Sequence, residues 1–229
     1  MRGYHGDKCH TRPMSTVRIG ARAALDAATF LCNVSVIPTS DVSNVVTDLS
    51  RRSAGLFEID NIERHAHATL YMARFRREDA EELFLRIKKV VAEIEPIRLV
   101  HDGYFVTPGN YYEVSYRRER QLLTVHDRIT RAARSLRYAE DSPIVEDYYG
   151  PYSAEQRANV RRHGYDLAGA LYRPHVTITR FPVPPTGELP VASTDLSFTA
   201  STIGVFQADR LGAARKLIQA FDLSWPTPV

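Results

Sequence analysis

A short motif of histidine, any residue and threonine occurs twice in this chain. The first copy is His67-Ala68-Thr69 and the second is His175-Val176-Thr177. Side chains two residues apart on an extended strand point to the same side, so each copy places an imidazole beside a hydroxyl. Two imidazoles can catalyse reactions at a phosphodiester, because one removes a proton from the attacking group and the other protonates the leaving oxygen. A threonine hydroxyl can donate to a phosphate oxygen as charge develops there.

Polar and apolar side chains alternate beyond both motifs. The polar positions are His65, His67, Thr69 and Tyr71 in the first copy, and Arg173, His175, Thr177 and Thr179 in the second. This alternation predicts two strands with one apolar face on a core and one polar face on a cleft. We therefore expect Tyr71, Arg173 and Thr179 to reach the substrate, with Tyr71 equally suited to packing. Tyr112 is a further candidate, because its ring could stack on a base, although packing in the core is the competing interpretation.

The segments around the motifs predict a mixed α and β structure. Strands are expected at 30–37, 66–75, 97–107, 111–117 and 197–207, with a last strand over 216–223. Helices are expected from Ser40 or Asp41 to Arg52, from Glu78 to Glu93 and from Glu119 to Arg137, because apolar residues there recur at helical spacing. The turn residues Pro108-Gly109-Asn110 predict a hairpin.

The chain is expected to form one domain over residues 29–229, after an N-terminal extension of residues 1–28. The main departure from internal symmetry is an insertion at about 138–172, which contains an acidic, aromatic loop and a short helix capped by Ser153. An insertion beside a cleft can carry a lid or a specificity element, or it can have no role.

The two motifs and their flanking elements resemble the 2H phosphoesterase superfamily, which includes 2′-5′ RNA ligase-like proteins and cyclic phosphodiesterases. The resemblance covers about Phe30 to Leu223 and implies an α+β fold of two pseudo-symmetric lobes. Each lobe would be an antiparallel sheet backed by helices, with one motif strand facing a central cleft. It also implies that His67 and His175 are the acid and base, and that Thr69 and Thr177 bind phosphate.

The implied activity is metal-independent and cofactor-free cleavage of a 2′,3′-cyclic or 2′-5′ type phosphodiester, in RNA or a small nucleotide. Residues 156–179 also resemble a subgroup associated with phosphonate metabolism, so a ribose cyclic phosphate is an alternative substrate, as is a cyclic oligonucleotide signal. A module that binds RNA or nucleotides without catalysis is the alternative of another class.

A zinc site is the competing chemistry, because His65, His67 and His175 could supply three imidazoles. No acidic residue or cysteine is expected at a matching strand position beside either motif, and zinc would leave the paired threonines unexplained. The two-histidine mechanism is therefore favoured.

Composition is that of an ordinary globular protein, with a net charge of only +3 over 229 residues. No apolar run approaches the length of a membrane span. The two cysteines, Cys9 and Cys32, lie in dissimilar segments, which favours a reduced protein of the cytoplasm. A monomer without a membrane partner is expected.

Overall fold

The structure is a computed structural model that describes residues 28–138, 152–209 and 211–223. The four helices within these ranges are α1 (Ser40–Ser53), α2 (Ala80–Val91), α3 (Arg120–Ala133) and α4 (Ala154–His163). The strands in the same ranges are β1 (Thr29–Val36), β2 (Ala68–Arg76), β3 (Ile97–Leu99), β4 (His101–Val106), β5 (Tyr111–Tyr116), β6 (His175–Arg180), β7 (Phe198–Ala200), β8 (Thr202–Ala208) and β9 (Ala214–Asp222). None of the helices described is long and apolar enough to cross a membrane.

Seven strands form one antiparallel sheet in the order β4-β5-β6-β2-β1-β8-β9. The two motif strands, β2 and β6, are neighbours at its centre, where Ala68 pairs with Val176. The predicted α+β class is confirmed, and the two expected half-sheets are continuous at this pair. Ala68 and Val176 are the middle residues of the two motifs, so the motifs meet around one point.

Two helices each follow a strand of one half of the sheet and pack on the motif strand of the other half. Helix α1 follows β1 along the chain but packs on β6, while α3 follows β5 but packs on β2. The buried apolar residues of each helix recur every three or four positions, as an amphipathic helix requires: Val42, Val46 and Leu49 in α1, and Leu122, Val125 and Ile129 in α3. Each motif strand is therefore supported by a helix from the opposite half.

Two predicted strands are each divided in two. The segment 97–107 breaks at Val100 into β3 and β4, and the segment 197–207 breaks at Ser201 into β7 and β8. The single-strand predictions are wrong because β3 and β7 leave the main sheet and pair with each other in a separate two-stranded sheet. The β4–β5 hairpin, the last strand pair and the three predicted helices are confirmed within a few residues.

The described part of the insertion contains the predicted short helix, α4. The Ser153 hydroxyl accepts from the Gln156 backbone N–H at 3.1 Å, and the Gln156 side chain accepts from the Ser153 N–H at 3.0 Å. This reciprocal capping satisfies two backbone donors at the start of the helix. Residues 139–151 of the insertion, and all of the predicted extension except Ala28, lie outside the described residues.

Candidate active site

All four motif side chains line one cleft at the centre of the sheet. His67 and Thr69 come from β2 and the residue before it, and His175 and Thr177 come from β6. Paired antiparallel strands run in opposite directions, so each histidine lies toward the threonine of the other motif. The cleft is thus lined by two imidazoles and two hydroxyls related by an approximate twofold.

Both imidazoles are held in the same way. Nδ1 of His67 lies 2.8 Å from the carbonyl oxygen of His65, and Nδ1 of His175 lies 2.8 Å from the carbonyl oxygen of Arg173. A carbonyl oxygen only accepts, so Nδ1 carries the hydrogen in both rings. Nε2 is then the nitrogen of each ring that can exchange a proton with a substrate.

His67 is suited to act as a base. Its side chain is buried, with 7% of the residue exposed, and burial lowers the pKa of His67 to about 4. The hydrogen bond to the His65 carbonyl partly offsets this effect, whereas the nearby His175 adds to it. At neutral pH the ring is therefore uncharged, and Nε2 has a lone pair with which to accept a proton.

His175 has a different electrostatic environment, because a carboxylate lies beside it. Glu113 Oε1 is 3.5 Å from Nε2 of His175, and Glu113 Oε2 is 2.5 Å from Nη1 of Arg173. The motif strands themselves carry no acidic residue at a matching position, but Glu113 lies opposite Thr177 on the neighbouring strand β5. The signal for it was the lone charged residue in the otherwise uncharged strand 111–116.

The hydroxyl of Thr69 is oriented by residues of β1 that sequence reasoning missed. Nδ2 of Asn33 donates to Thr69 Oγ1 at 3.0 Å, and the Ser35 hydroxyl donates to Oδ1 of Asn33. Because Thr69 Oγ1 accepts one hydrogen bond, its own hydrogen can be directed to a phosphate oxygen. Asn33 and Ser35 alternate on β1 as the motif residues do on β2, which is the pattern that could have revealed them.

The predicted continuation of the two polar faces is wrong at Tyr71 and Thr179. In β2 the partners of Thr69 and Tyr71 are consecutive residues of β1, so Leu70 forms a bulge. In β6 the same happens at Ile178. An extra residue in a strand reverses the alternation that follows it.

Both hydroxyls beyond the bulges therefore bond to backbone carbonyls, and neither Tyr71 nor Thr179 lines the cleft. Tyr71 is completely buried and donates to the carbonyl of His163 at the end of α4. Thr179 is also completely buried and donates to the carbonyl of Phe57 at 2.6 Å. Met72 instead returns to the cleft after the first bulge. The hydroxyls of Tyr71 and Thr179 thus bond to the backbone and do not face the cleft, where contact with a substrate was expected.

Of the other two candidates, Arg173 lines the cleft and Tyr112 does not. The guanidinium carbon of Arg173 lies 5.0 Å from the centre of the Phe105 ring, at the cleft wall. Tyr112 is buried, and its hydroxyl donates to the Pro190 carbonyl at 2.7 Å, which places it in the core as the competing interpretation held. Its strand neighbour Tyr111 lines the cleft.

The insertion supplies one wall of the cleft. Gln156 of α4 and the following Tyr165, Asp166 and Leu167 all line it. Burial raises the pKa of Asp166, and the Gln156 side chain donates to Asp166 Oδ2 at 3.2 Å. The remaining walls are mainly aromatic and apolar, and include Phe57, Phe105 and residues 211–213.

The three-imidazole set considered for zinc is not assembled in the described structure. The ring of His65 packs against Phe206 at 5.5 Å, and His65 does not line the cleft. Within residues 28–138, 152–209 and 211–223, no group of three His, Cys, Asp or Glu side chains is placed to hold a metal ion.

The bulge at Leu70 is fixed by a buried histidine of α3. Nδ1 of His126 donates to the Leu70 carbonyl at 2.6 Å, while its Nε2 accepts from the Gly169 N–H at 3.0 Å. The ring also stacks on Tyr172 at 3.9 Å. Both nitrogens are satisfied only in the neutral ring, and burial lowers the pKa of His126.

These buried neutral histidines predict a loss of stability in mild acid. The lowered pKa values of His67 and His126 mean that protons bind preferentially to the unfolded chain, whose histidines titrate near pH ~6.5. The stabilisation is complete above that pH and is lost as the pH falls toward the folded pKa values. We expect protonation of the unfolded chain at His67 to lower the free energy of unfolding by roughly 2 kcal/mol between pH 7 and pH 5, and His126 to act in the same direction.

Urea denaturation at the two pH values measures this effect. His126→Gln should lower stability at pH 7 and reduce the difference between the two pH values. The half-buried His101, which lies outside the cleft lining, provides the control as His101→Gln. Equal pH dependence in wild type and His126→Gln would contradict the role of His126.

No protein-family model and no curated protein sequence matches this chain. Several solved structures do match it. LigT of E. coli complexed with ATP has a TM-score of 0.57, with 11% sequence identity over 86% of this chain and 99% of LigT. The chain has the fold of LigT. LigT complexed with 3′-AMP gives a TM-score of 0.54 at 11% identity, over 86% of this chain and 99% of LigT.

The solved structure of TT0787 of Thermus thermophilus also has this fold. It gives a TM-score of 0.55 at 16% identity and covers 84% of this chain and 97% of its own. The LigT-like, two-lobed fold thus extends over most of the chain.

Proposed function

We propose that this protein is a phosphodiesterase that opens a 2′,3′-cyclic or 2′-5′ phosphodiester of RNA or a small nucleotide. The main support is the pair of imidazoles in one cleft, each anchored through Nδ1 and each accompanied by a threonine. Solved structures of LigT contain 3′-AMP, ATP or NADP⁺, which supports a nucleotide as the substrate class.

The proposed reaction requires two proton transfers. For a 2′,3′-cyclic phosphate, Nε2 of His67 removes a proton from water as the water oxygen attacks phosphorus. The bond from phosphorus to one ribose oxygen breaks, and Nε2 of His175 donates a proton to that oxygen. The hydroxyls of Thr69 and Thr177 donate to the non-bridging oxygens, where negative charge accumulates. The product is a nucleoside monophosphate.

Incubation of the purified protein with nucleoside 2′,3′-cyclic phosphates and 2′-5′-linked dinucleotides, followed by mass spectrometry, tests the proposal. Conversion should persist after exhaustive chelation, because the two imidazoles and two hydroxyls supply the proposed acid–base and phosphate contacts. Loss of activity with a chelator and recovery with zinc would instead support metal catalysis. Saturable binding without product would support the non-catalytic binding module.

The pH dependence of kcat/KM provides a further prediction. His67 must be neutral to accept a proton, and the pKa of His67 is lowered to about 4 by burial. We therefore expect kcat/KM to stay level from neutral pH down to about pH 5 and to fall only near pH 4, provided that the protein stays folded. Far-ultraviolet circular dichroism at each pH provides the control. A decline in kcat/KM that begins near pH 6.5 would contradict the assignment of His67 as the base.

A further inference from the structure

We propose that Glu113 is a positioning residue that keeps His175 charged, so that His175 is the acid and His67 the base. This inference rests on the proposed phosphodiesterase function and gives the two imidazoles, equivalent in the motif, different roles. Glu113 lies outside both motifs, on the strand adjacent to the second one.

The carboxylate of Glu113 is buried beside the ring of His175. Glu113 is almost completely buried, with 4% of its side chain exposed, and Oε1 lies 3.5 Å from Nε2 of His175. Nε2 is the only ring nitrogen left to exchange protons, since Nδ1 donates to the Arg173 carbonyl. A carboxylate at this distance stabilises positive charge on the ring, and a charged ring carries the Nε2 proton that an acid must donate.

The internal symmetry of the sheet shows that this charge is placed on one side only. In the first half, Ser35 of β1 pairs with Thr69, and in the second half Glu113 of β5 pairs with Thr177. Each pair adjoins the bulge that follows its motif. The first half thus has a hydroxyl at the position where the second half has a carboxylate. The two halves are matched in geometry but not in charge, which is the difference that distinct acid and base roles require.

Other charged groups around His175 fit this assignment. Arg173 neutralises Glu113 Oε2 at 2.5 Å, which limits repulsion between the carboxylate and a phosphate. Asp166, on the insertion wall, also interacts electrostatically with His175, but burial raises the pKa of Asp166. His67 faces the ring from β2 and is uncharged at neutral pH because its pKa is lowered. Glu113 is therefore the carboxylate in direct contact with the ring.

Glu113→Gln tests the inference, because it keeps the shape of the side chain and removes its charge. The matched control is Glu119→Gln, which removes an exposed carboxylate close to the same strand. The first measurement is NMR titration of the His175 ring, assigned by loss of its signals in His175→Ala. The midpoint should move to lower pH by at least about one unit in Glu113→Gln and stay fixed in the control. This measurement does not depend on turnover.

The second measurement is the pH profile of turnover on the substrate found for the wild type. In Glu113→Gln the alkaline limb of kcat should move to lower pH, with a loss of about tenfold at pH 8, little loss at pH 5.5 and no rise in KM. A purely structural role would lower kcat equally at both pH values or raise KM. An unchanged ring titration would overturn the inference, whereas absence of turnover in the wild type would overturn the proposed function alone.

Discussion

Replacement of either His67 or His175 with alanine is expected to lower turnover roughly 10²- to 10⁴-fold, the usual contribution of a general acid or base. Both rings line the cleft and both are anchored through Nδ1, so each loss removes one of the two proton transfers. The losses should not add in the double variant, because the two groups act in the same step. Steady-state kinetics on the cyclic phosphate measures this effect.

His65→Ala is the matched control, because it removes an imidazole two residues from His67 that packs on Phe206 outside the cleft lining. Its turnover should change by less than about tenfold, well below the loss expected of a general acid or base. Near-normal turnover in either cleft variant would remove that histidine from the mechanism.

The leaving group can separate the two roles. A diester that releases 4-nitrophenolate needs no protonation of its leaving oxygen, so the loss in His175→Ala should become much smaller with this substrate. The loss in His67→Ala should remain, because water must still be deprotonated. The reverse result would exchange the assignments of acid and base.

Thr69→Val and Thr177→Val are expected to lower kcat by about 10- to 1000-fold with the fold intact. Valine keeps the β-branched shape but cannot donate to a phosphate oxygen. Thr69 should be the more sensitive of the two, because the Asn33 amide orients its hydroxyl. Measurement of kcat and of the melting temperature on the same samples separates catalysis from folding.

Thr179→Val provides the contrast, because its hydroxyl bonds to the Phe57 carbonyl at 2.6 Å and lies outside the cleft lining. This variant should melt at a lower temperature, since a buried carbonyl loses its partner, and retain near-normal kcat while folded. Unchanged kinetics in both Thr69→Val and Thr177→Val would mean that these threonines serve only as strand formers.

The sequence predicted the motif strands, the hairpin and the capped helix because each has a local physical signal. Alternation of polar and apolar residues marks a strand, Pro108-Gly109-Asn110 favours a turn, and Ser153 with Gln156 satisfies the first donors of a helix. These signals depend on neighbours in the chain, so they can be interpreted without knowledge of the fold.

The bulges at Leu70 and Ile178 could not be predicted in this way. An extra strand residue changes which face the next side chains occupy, but Tyr71 and Thr179 remain polar and so preserve the apparent alternation. Their hydroxyls are satisfied by backbone carbonyls from distant parts of the chain. Tertiary contacts, not local pattern, decide these positions.

Glu113 was missed for a related reason. Its importance depends on pairing with β6, and strand pairing between distant segments is not visible in either segment alone. Asn33 and Ser35 share this property, since they contribute to the site only because β1 lies beside β2.

The crossed helices restrict how this cleft can move. Helix α1 packs on β6 and α3 packs on β2, so a rotation that opened one half away from the other would separate both helices from the strands they cover. Such a rotation would expose two apolar faces to water at once. Substrate is therefore expected to enter the cleft without a hinge motion between the halves, which remain a rigid body.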